Sequence, residues 1–263
     1  MTTKVAVILF PGTNCEDETL RAIRAAGLDA RLVRWNEPLP KGSFGSYVLP
    51  GGWSYEDRVR AGAIAAHEDL VGSIRDEIAR GKPILGICNG AQVLVESGLV
   101  PDGGAPTLAL GPNLLGYRCV WTRVRLLVPS NRTVFTSRFA EGEIFAVPIA
   151  HGEGRFTSSD PGSLQHLRDN KQLTFAYVDA TGETTTEFPW NPNGSPLGAA
   201  GIANEEGTVL AFMPHPERAS WWWQHAPHSR PPGWAARPDR LHLTAPAHRM
   251  FASLAQHLSR GRG

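Results

Sequence analysis

The sequence predicts an α/β protein: a doubly wound, mostly parallel central sheet with helices on both faces and an antiparallel extension. Three observations predict it. Short apolar runs alternate with segments of helical spacing through the first part of the chain, glycine or proline closes most of these elements, and the later part is richer in candidate strands. The chain has 263 residues, 41% hydrophobic and 19% charged, the balance of a folded globular protein rather than a disordered one. No Ser/Gly linker, repeat or compositional break divides it, so residues 1–263 read as a single domain.

Lys4 to Phe10 is dominated by an apolar run, as expected of a strand buried on both faces. After the turn at Pro11 and Gly12, Leu20, Ile23 and Ala26 give Asp17 to Ala26 a helical period that stops at Gly27, and Ala30 to Val33 reads as the next strand. Tyr47 to Leu49 forms a third strand that ends at Pro50, Gly51 and Gly52. His67 to Arg80 is helical, with Leu70, Ile74 and Ile78 on one face; Gly81 caps it and Pro83 blocks its continuation. The strand Ile84 to Ile87, a turn at Cys88 and a helix from about Ala91 to Ser97 follow. Further strands are expected around Gly116 to Leu127, Glu143 to Ile149, Leu173 to Tyr177 and Thr208 to Met213. The Trp- and Pro-rich segment 221–239 reads as an irregular loop before a last helix containing Met250, Leu254 and Leu258.

Twenty-six basic residues against twenty-five acidic ones leave a formal charge of +1, which concentrates neither nucleic acid nor anionic lipid around the chain. No run approaches the roughly 18 apolar residues of a membrane span, and the start enters a strand pattern without a cleavage-site signature, so a cytoplasmic protein is expected. Cys15, Cys88 and Cys119 are too scattered for a disulfide framework or a metal-ligand cluster, and free thiols with no metal are expected.

Cys88 is flanked by Gly86 and Gly90, the spacing of a nucleophile on a sharp strand-to-helix turn. Small residues two positions away let neighbouring backbones approach, and the following helix offers partial positive charge and free N–H groups. The alternative is a buried core cysteine. A base is available far downstream in Pro214-His215-Pro216-Glu217, where prolines on both sides of the histidine disfavour helix. In an extended segment residues two apart face the same way, so Glu217 can orient the His215 ring and complete a Cys-His-Glu triad. Alone, the tripeptide reads more readily as a surface turn; combined with the Cys88 turn, the balance reverses.

Together, Gly86-Ile-Cys88-Asn-Gly90-Ala-Gln92 and His215-Pro-Glu217 resemble the class I glutamine amidotransferases. Phe10-Pro-Gly-Thr-Asn14-Cys-Glu16, Pro50-Gly-Gly-Trp-Ser-Tyr55, Arg60-Ala-Gly-Ala-Ile64 and Pro148-Ile-Ala-His151-Gly-Glu-Gly-Arg-Phe156 narrow the resemblance to the glutaminase subunits of phosphoribosylformylglycinamidine synthase. The resemblance implies a purine-biosynthesis enzyme that hydrolyses glutamine through a Cys88 thioester and passes ammonia to a large synthetase subunit, which uses ATP and Mg; a small subunit bridges the two. It implies no cofactor in this subunit. By motif, Cys88, His215 and Glu217 are catalytic, Gly52 and Asn89 supply the oxyanion-hole amides, and Gly51 and Gln92 border the substrate. Cys15 and Cys119 are expected to be inert packing residues, while Arg60 and the stretch from His151 to Phe156 fit a partner interface or a glutamine contact. The chain departs from the family pattern at Trp53, at Glu56 in place of glycine, and at Arg58-Val59. Two competing readings are a cysteine peptidase on the same fold and a catalytically idle regulatory subunit.

Overall fold

Val5 to Ile8 have no solvent-accessible surface, and every residue of Ser46–Leu49, Ile84–Ile87 and Val209–Phe212 is buried, so these strands need cover on both faces. Each large aliphatic chain buried in this way contributes about 1.5–3 kcal/mol. The computed structural model describes residues 3–102, 104, 107–230 and 238–260.

In chain order the strands are β1 (Lys4–Leu9), β2 (Asp29–Arg34), β3 (Ser46–Leu49), β4 (Ile84–Ile87), β5 (Ala109–Pro112), β6 (Arg118–Leu126), β7 (Ile144–His151), β8 (Glu153–Thr157), β9 (Leu173–Tyr177), β10 (Ala199–Ala203) and β11 (Val209–Phe212). The helices are α1 (Glu16–Ala25), α2 (Asp69–Ile78), α3 (Asn89–Glu96), α4 (Ser163–Asp169) and α5 (Arg249–Arg260). Among the described residues one nine-stranded sheet runs β2-β1-β3-β4-β11-β10-β9-β6-β7, while β5 and β8 pair separately. The pairings from β2 to β11 are parallel and those from β11 to β7 antiparallel, as the expected fold requires. Helix α3 packs across β3, β4 and β11, and α1 packs on β1, β2 and α5.

Several boundaries differ from the sequence reading. Glu68 is extended (φ −68°, ψ 144°), so α2 begins at Asp69 after a short 3-10 turn rather than at His67. Helix α3 begins at Asn89, two residues earlier than expected, because Cys88 alone absorbs the change of direction. The short strands β5, β8 and β10 and the helix α4 were not foreseen. Strand β10 has the sequence Ala-Ala-Gly-Ile-Ala, which carries little intrinsic strand preference; its pairing with β9 and β11 makes it a strand.

Of the segment 221–239, residues 231–237 lie outside the described residues. The described part is irregular, with short 3-10 turns, and folds back on the body. Trp222 and Trp223 donate backbone N–H groups to Leu243 and Leu241, Trp221 stacks on Trp223, and His225 packs against both Trp121 and Trp222.

Candidate active site

Strands β3, β4 and β11 are parallel neighbours with β4 in the middle, so their carboxyl ends open at one edge of the sheet. Gly51 and Gly52 follow β3, Cys88 follows β4 and His215 follows β11. Ligands in open α/β sheets bind beyond the carboxyl ends of the strands for this reason.

Cys88 sits at φ 50°, ψ −107°, a conformation an L-residue adopts only when its surroundings impose it. Its N–H donates to Phe212 O at 2.9 Å and its carbonyl accepts the Gln92 N–H at 3.0 Å, which pins the turn between β11 and the first turn of α3. The flanking glycines are required by close approach: a Cβ on Gly90 would stand 2.0 Å from Leu49 O, and one on Gly86 would stand 2.5 Å from Gly90 O. The Cys88 thiol is nearly buried and lies 3.8 Å from the carbonyl oxygen of Ala150 at the end of β7.

The His215 N–H donates to Pro148 O on β7 at 2.9 Å, which ties the segment after β11 to the far edge of the sheet. Pro216 then opens a 3-10 turn that contains Glu217. The pairing of His215 with Glu217 therefore comes from turn closure, not from the strand alternation the sequence suggested. Nδ1 and Glu217 Oε1 are 2.6 Å apart, with His215 2% and Glu217 0% exposed. Burial alone would pull the imidazole below its ordinary value, but the Glu217 carboxylate and the Cys88 and Cys15 thiols outweigh it and hold His215 well above. With Nδ1 committed to Glu217, Nε2 makes no hydrogen bond among the described residues and is the nitrogen left for chemistry.

The remaining expected residues gather here too. Thr13 and Gly52 face each other in a bridge whose hydrogen bonds run from Asn14 N to Gly51 O and from Trp53 N to Gly12 O, which leaves the Gly52 N–H out of the ladder. The Asn89 N–H is in the first turn of α3, where helices leave donors unused. Gly51 packs against the imidazole, since a Cβ there would be 2.6 Å from His215 Cε1. Gln92 is buried, accepts from Asn89 Nδ2 at 2.9 Å and donates to the Glu153 carbonyl, so its amide braces the site from inside.

Three residues outside the expected catalytic, oxyanion-hole and substrate-binding set also enter. Cys15 is buried as expected, but its Sγ is 3.9 Å from His215 Nδ1 and accepts from Arg218 at 3.1 Å, so it borders the imidazole rather than filling a remote core. His151 is buried, neither ring nitrogen has a hydrogen-bond partner among the described residues, and burial, reinforced by the His215 charge, lowers it to about 3. Asp57 accepts from Asn89 Nδ2 at 3.4 Å. Membership in the quoted motifs was the available signal for Cys15 and His151. Cys119 is exposed on β6, contrary to a packing role.

Donor atoms of Cys15, His215 and Glu217 lie within 4.8 Å of one another, a set with the chemistry of a zinc site. Each is already engaged: Nδ1 with Glu217 and Sγ with Arg218 and Asn14. Among the described residues no helix is long and apolar enough to cross a membrane.

Residues 2–258 match the CobB/CobQ-like glutamine amidotransferase domain family. The chain is 44% identical to phosphoribosylformylglycinamidine synthase subunit PurQ of Methanothrix thermoacetophila, covering 98% of this chain and 99% of the relative. It is 38% identical to the PurQ subunit of Symbiobacterium thermophilum, with 97% of each covered. A solved structure of PurLQS from Thermotoga maritima contains a chain that superposes with a TM-score of 0.74 at 30% identity, covering 98% of this chain and 100% of that one.

Proposed function

Because the chain belongs to the PurQ family of CobB/CobQ-like glutamine amidotransferases, we propose that it hydrolyses glutamine at Cys88 and supplies the ammonia to a synthetase partner. The observation that carries this reading is the meeting, at one sheet edge, of a thiol on a strained turn and a buried His215–Glu217 pair. The Cys88 thiolate attacks the side-chain amide carbon of glutamine, and the negative charge that develops on oxygen is received by the backbone amides of Gly52 and Asn89. Losing one such donor costs about 3–4 kcal/mol in the barrier. Imidazolium His215 gives its proton to the leaving nitrogen, ammonia departs and a γ-glutamyl thioester remains. His215 then takes a proton from water, whose oxygen attacks the thioester to release glutamate and restore the thiol. Glu217 holds the ring so that Nε2 faces the reaction. Gly51 sets the imidazole plane, and Gln92 borders the substrate.

The proposal extends to the complex. The partner is a synthetase that makes formylglycinamidine ribonucleotide with ATP and Mg in purine biosynthesis, a small subunit bridges the two, and this single-domain subunit works in the cytoplasm without a cofactor of its own. Glutamate release by the purified chain, alone and with the synthetase partner, tests both parts. Activity should rise with the partner and vanish in Cys88→Ala; a folded protein that releases no glutamate under either condition would sink the assignment.

A further inference from the structure

A cavity of about 790 Å³ lies between the β6–β7 pair, the Trp190 loop that joins β9 to β10, and the 3-10 segment that follows Trp221. Cys88, His215 and Glu217 do not line it. Its size suits a small molecule. Two kinds of side chain meet in its lining: Trp121, Trp190 and Trp222 supply rings, and Arg123 and Arg230 supply charge. Among the described residues no carboxylate lines it. On β6, Trp121 and Arg123 are half-buried while Thr122 and Val124 are buried, so the ring and the guanidinium share one face, about 7 Å apart along the strand. A ribose between a base and its phosphate spans a comparable distance.

Both cations have capacity to spare. One nitrogen of Arg123 makes contacts of 3.5 and 3.4 Å with the backbone carbonyls of Asp179 and Ala180, and Arg230 commits Nε to the carbonyl of His225 at 2.9 Å. Neither pairs with a carboxylate among the described residues. In a chain whose basic and acidic residues nearly balance, two such guanidiniums at one aromatic cavity make a local positive field. The walls are also held in advance. His225, which packs against Trp121 and Trp222 at ring separations of 4.6 and 4.8 Å, donates from Nε2 to Ala219 O at 3.2 Å. Gln224 Nε2 donates to Glu217 O at 2.9 Å, and Thr122 Oγ1 donates to Trp190 O at 3.0 Å. A site built this way loses little freedom when it fills. Trp190 nonetheless stays 41% exposed, so part of a large ring is left without cover.

We propose that this cavity binds a nucleoside phosphate, with the base stacked on the tryptophans and the phosphate held by Arg123 and Arg230. Every base has a π-face that stacks on an aromatic side chain. The guanidinium fork matches phosphate oxygens, and weak solvation beside apolar walls strengthens that attraction. A purely apolar ligand would leave both guanidiniums uncompensated, and a bare anion would leave the rings uncovered. The site is separate from glutamine hydrolysis and does not depend on the glutaminase reading.

Equilibrium dialysis and tryptophan fluorescence with the full chain, in the absence of glutamine, test it with adenosine monophosphate, adenosine, ribose phosphate and inorganic phosphate as probes. Adenosine monophosphate should bind saturably, and adenosine and ribose phosphate each about 10-fold or more weakly than it. Arg123→Gln and Arg230→Gln should each weaken the nucleotide on the order of 10- to 100-fold and leave the weaker binding of adenosine unchanged. Trp190→Ala should weaken both ligands by about 5- to 100-fold. An unchanged Tm in each variant shows that the loss is local. Absence of saturable nucleotide binding, inorganic phosphate bound as tightly as the nucleotide, or arginine and tryptophan variants that bind the nucleotide like wild type would overturn the site.

Discussion

The two halves of the sheet serve the site in different ways. From β2 to β11 the strands are parallel, and the short, fully buried β3, β4 and β11 present Gly52, Cys88 and His215 directly at their carboxyl ends. From β10 to β7 they are antiparallel, β7 alternates buried with half-buried residues, and its contributions are largely indirect. The Pro148 carbonyl steadies His215, the Ala150 carbonyl approaches Cys88, and His151 and Glu153 close the site from behind. A parallel edge collects strand ends and so assembles chemistry. The antiparallel edge supplies walls.

This contrast can be broken most severely at the end of β11. Glu217→Gln should lower glutamate release on the order of 10²–10⁴-fold, the range seen when a buried orienting acid loses its charge. Glu217 helps raise His215, so without it the imidazolium is lost at lower pH and the alkaline limb of the pH–rate profile should move down. The stability contribution follows the same sign: a raised histidine stabilises the fold fully below its unfolded value of 6.5 and loses this as pH rises through the folded value. The variant's deficit in Tm should therefore be largest at acid to neutral pH. A pH–rate profile that keeps its alkaline limb would show that Glu217 does not control the ring.

Glycine packing sharpens the comparison. Gly90→Ala drives a Cβ to 2.0 Å from a backbone oxygen in the parallel half and should cost about 3 kcal/mol or more in urea unfolding. Gly111→Ala on β5, where the nearest atom would be 3.7 Å away, should stay within about 0.5 kcal/mol. Equal losses would mean that the sheet-to-α3 approach is less tight than its geometry indicates.

His151 probes the wall from β7. Its folded value is lowered to about 3, so the unfolded chain takes up a proton below 6.5 that the folded chain refuses, and stability falls as pH drops through that window. This amounts to about 2 kcal/mol by pH 5. His151→Gln should flatten the acid side of the stability curve by that amount, as read by denaturant titrations at pH 7 and pH 5. An unchanged slope would place the acid sensitivity elsewhere. A small effect of opposite sign is expected at Glu56, which sits at φ 59° where glycine carries no steric penalty. Glu56→Gly should raise stability by about 0.5–1 kcal/mol, because the exposed Glu56–Arg58 pair that it removes is worth little.

How much of this was legible follows the same division. Strands β1, β3, β4 and β11 announced themselves as apolar runs, and Leu173 to Tyr177 was found to the residue. Strand β10 is small-residue backbone recruited by its neighbours, and β8 lies hidden in a motif rich in glycine and charge. Cys88 was legible because Gly86 and Gly90 bracket it, and His215 and Glu217 because prolines isolate them. Cys15 beside the imidazole, Asp57 against the Asn89 amide and the buried His151 were not, since each depends on segments far apart in the chain meeting at the sheet edge.

Sequence by itself determined the alternation of buried strands and amphipathic helices, the turn that carries Cys88 and the residue types of the proposed triad, because these depend on local periodicity and on residues a few positions apart. Tertiary structure alone decided which carboxyl ends became neighbours, how burial and the surrounding charges shift His215 and His151, and which polar groups were left for a substrate. Those outcomes are set by distances and dielectric across the fold, which no local pattern encodes.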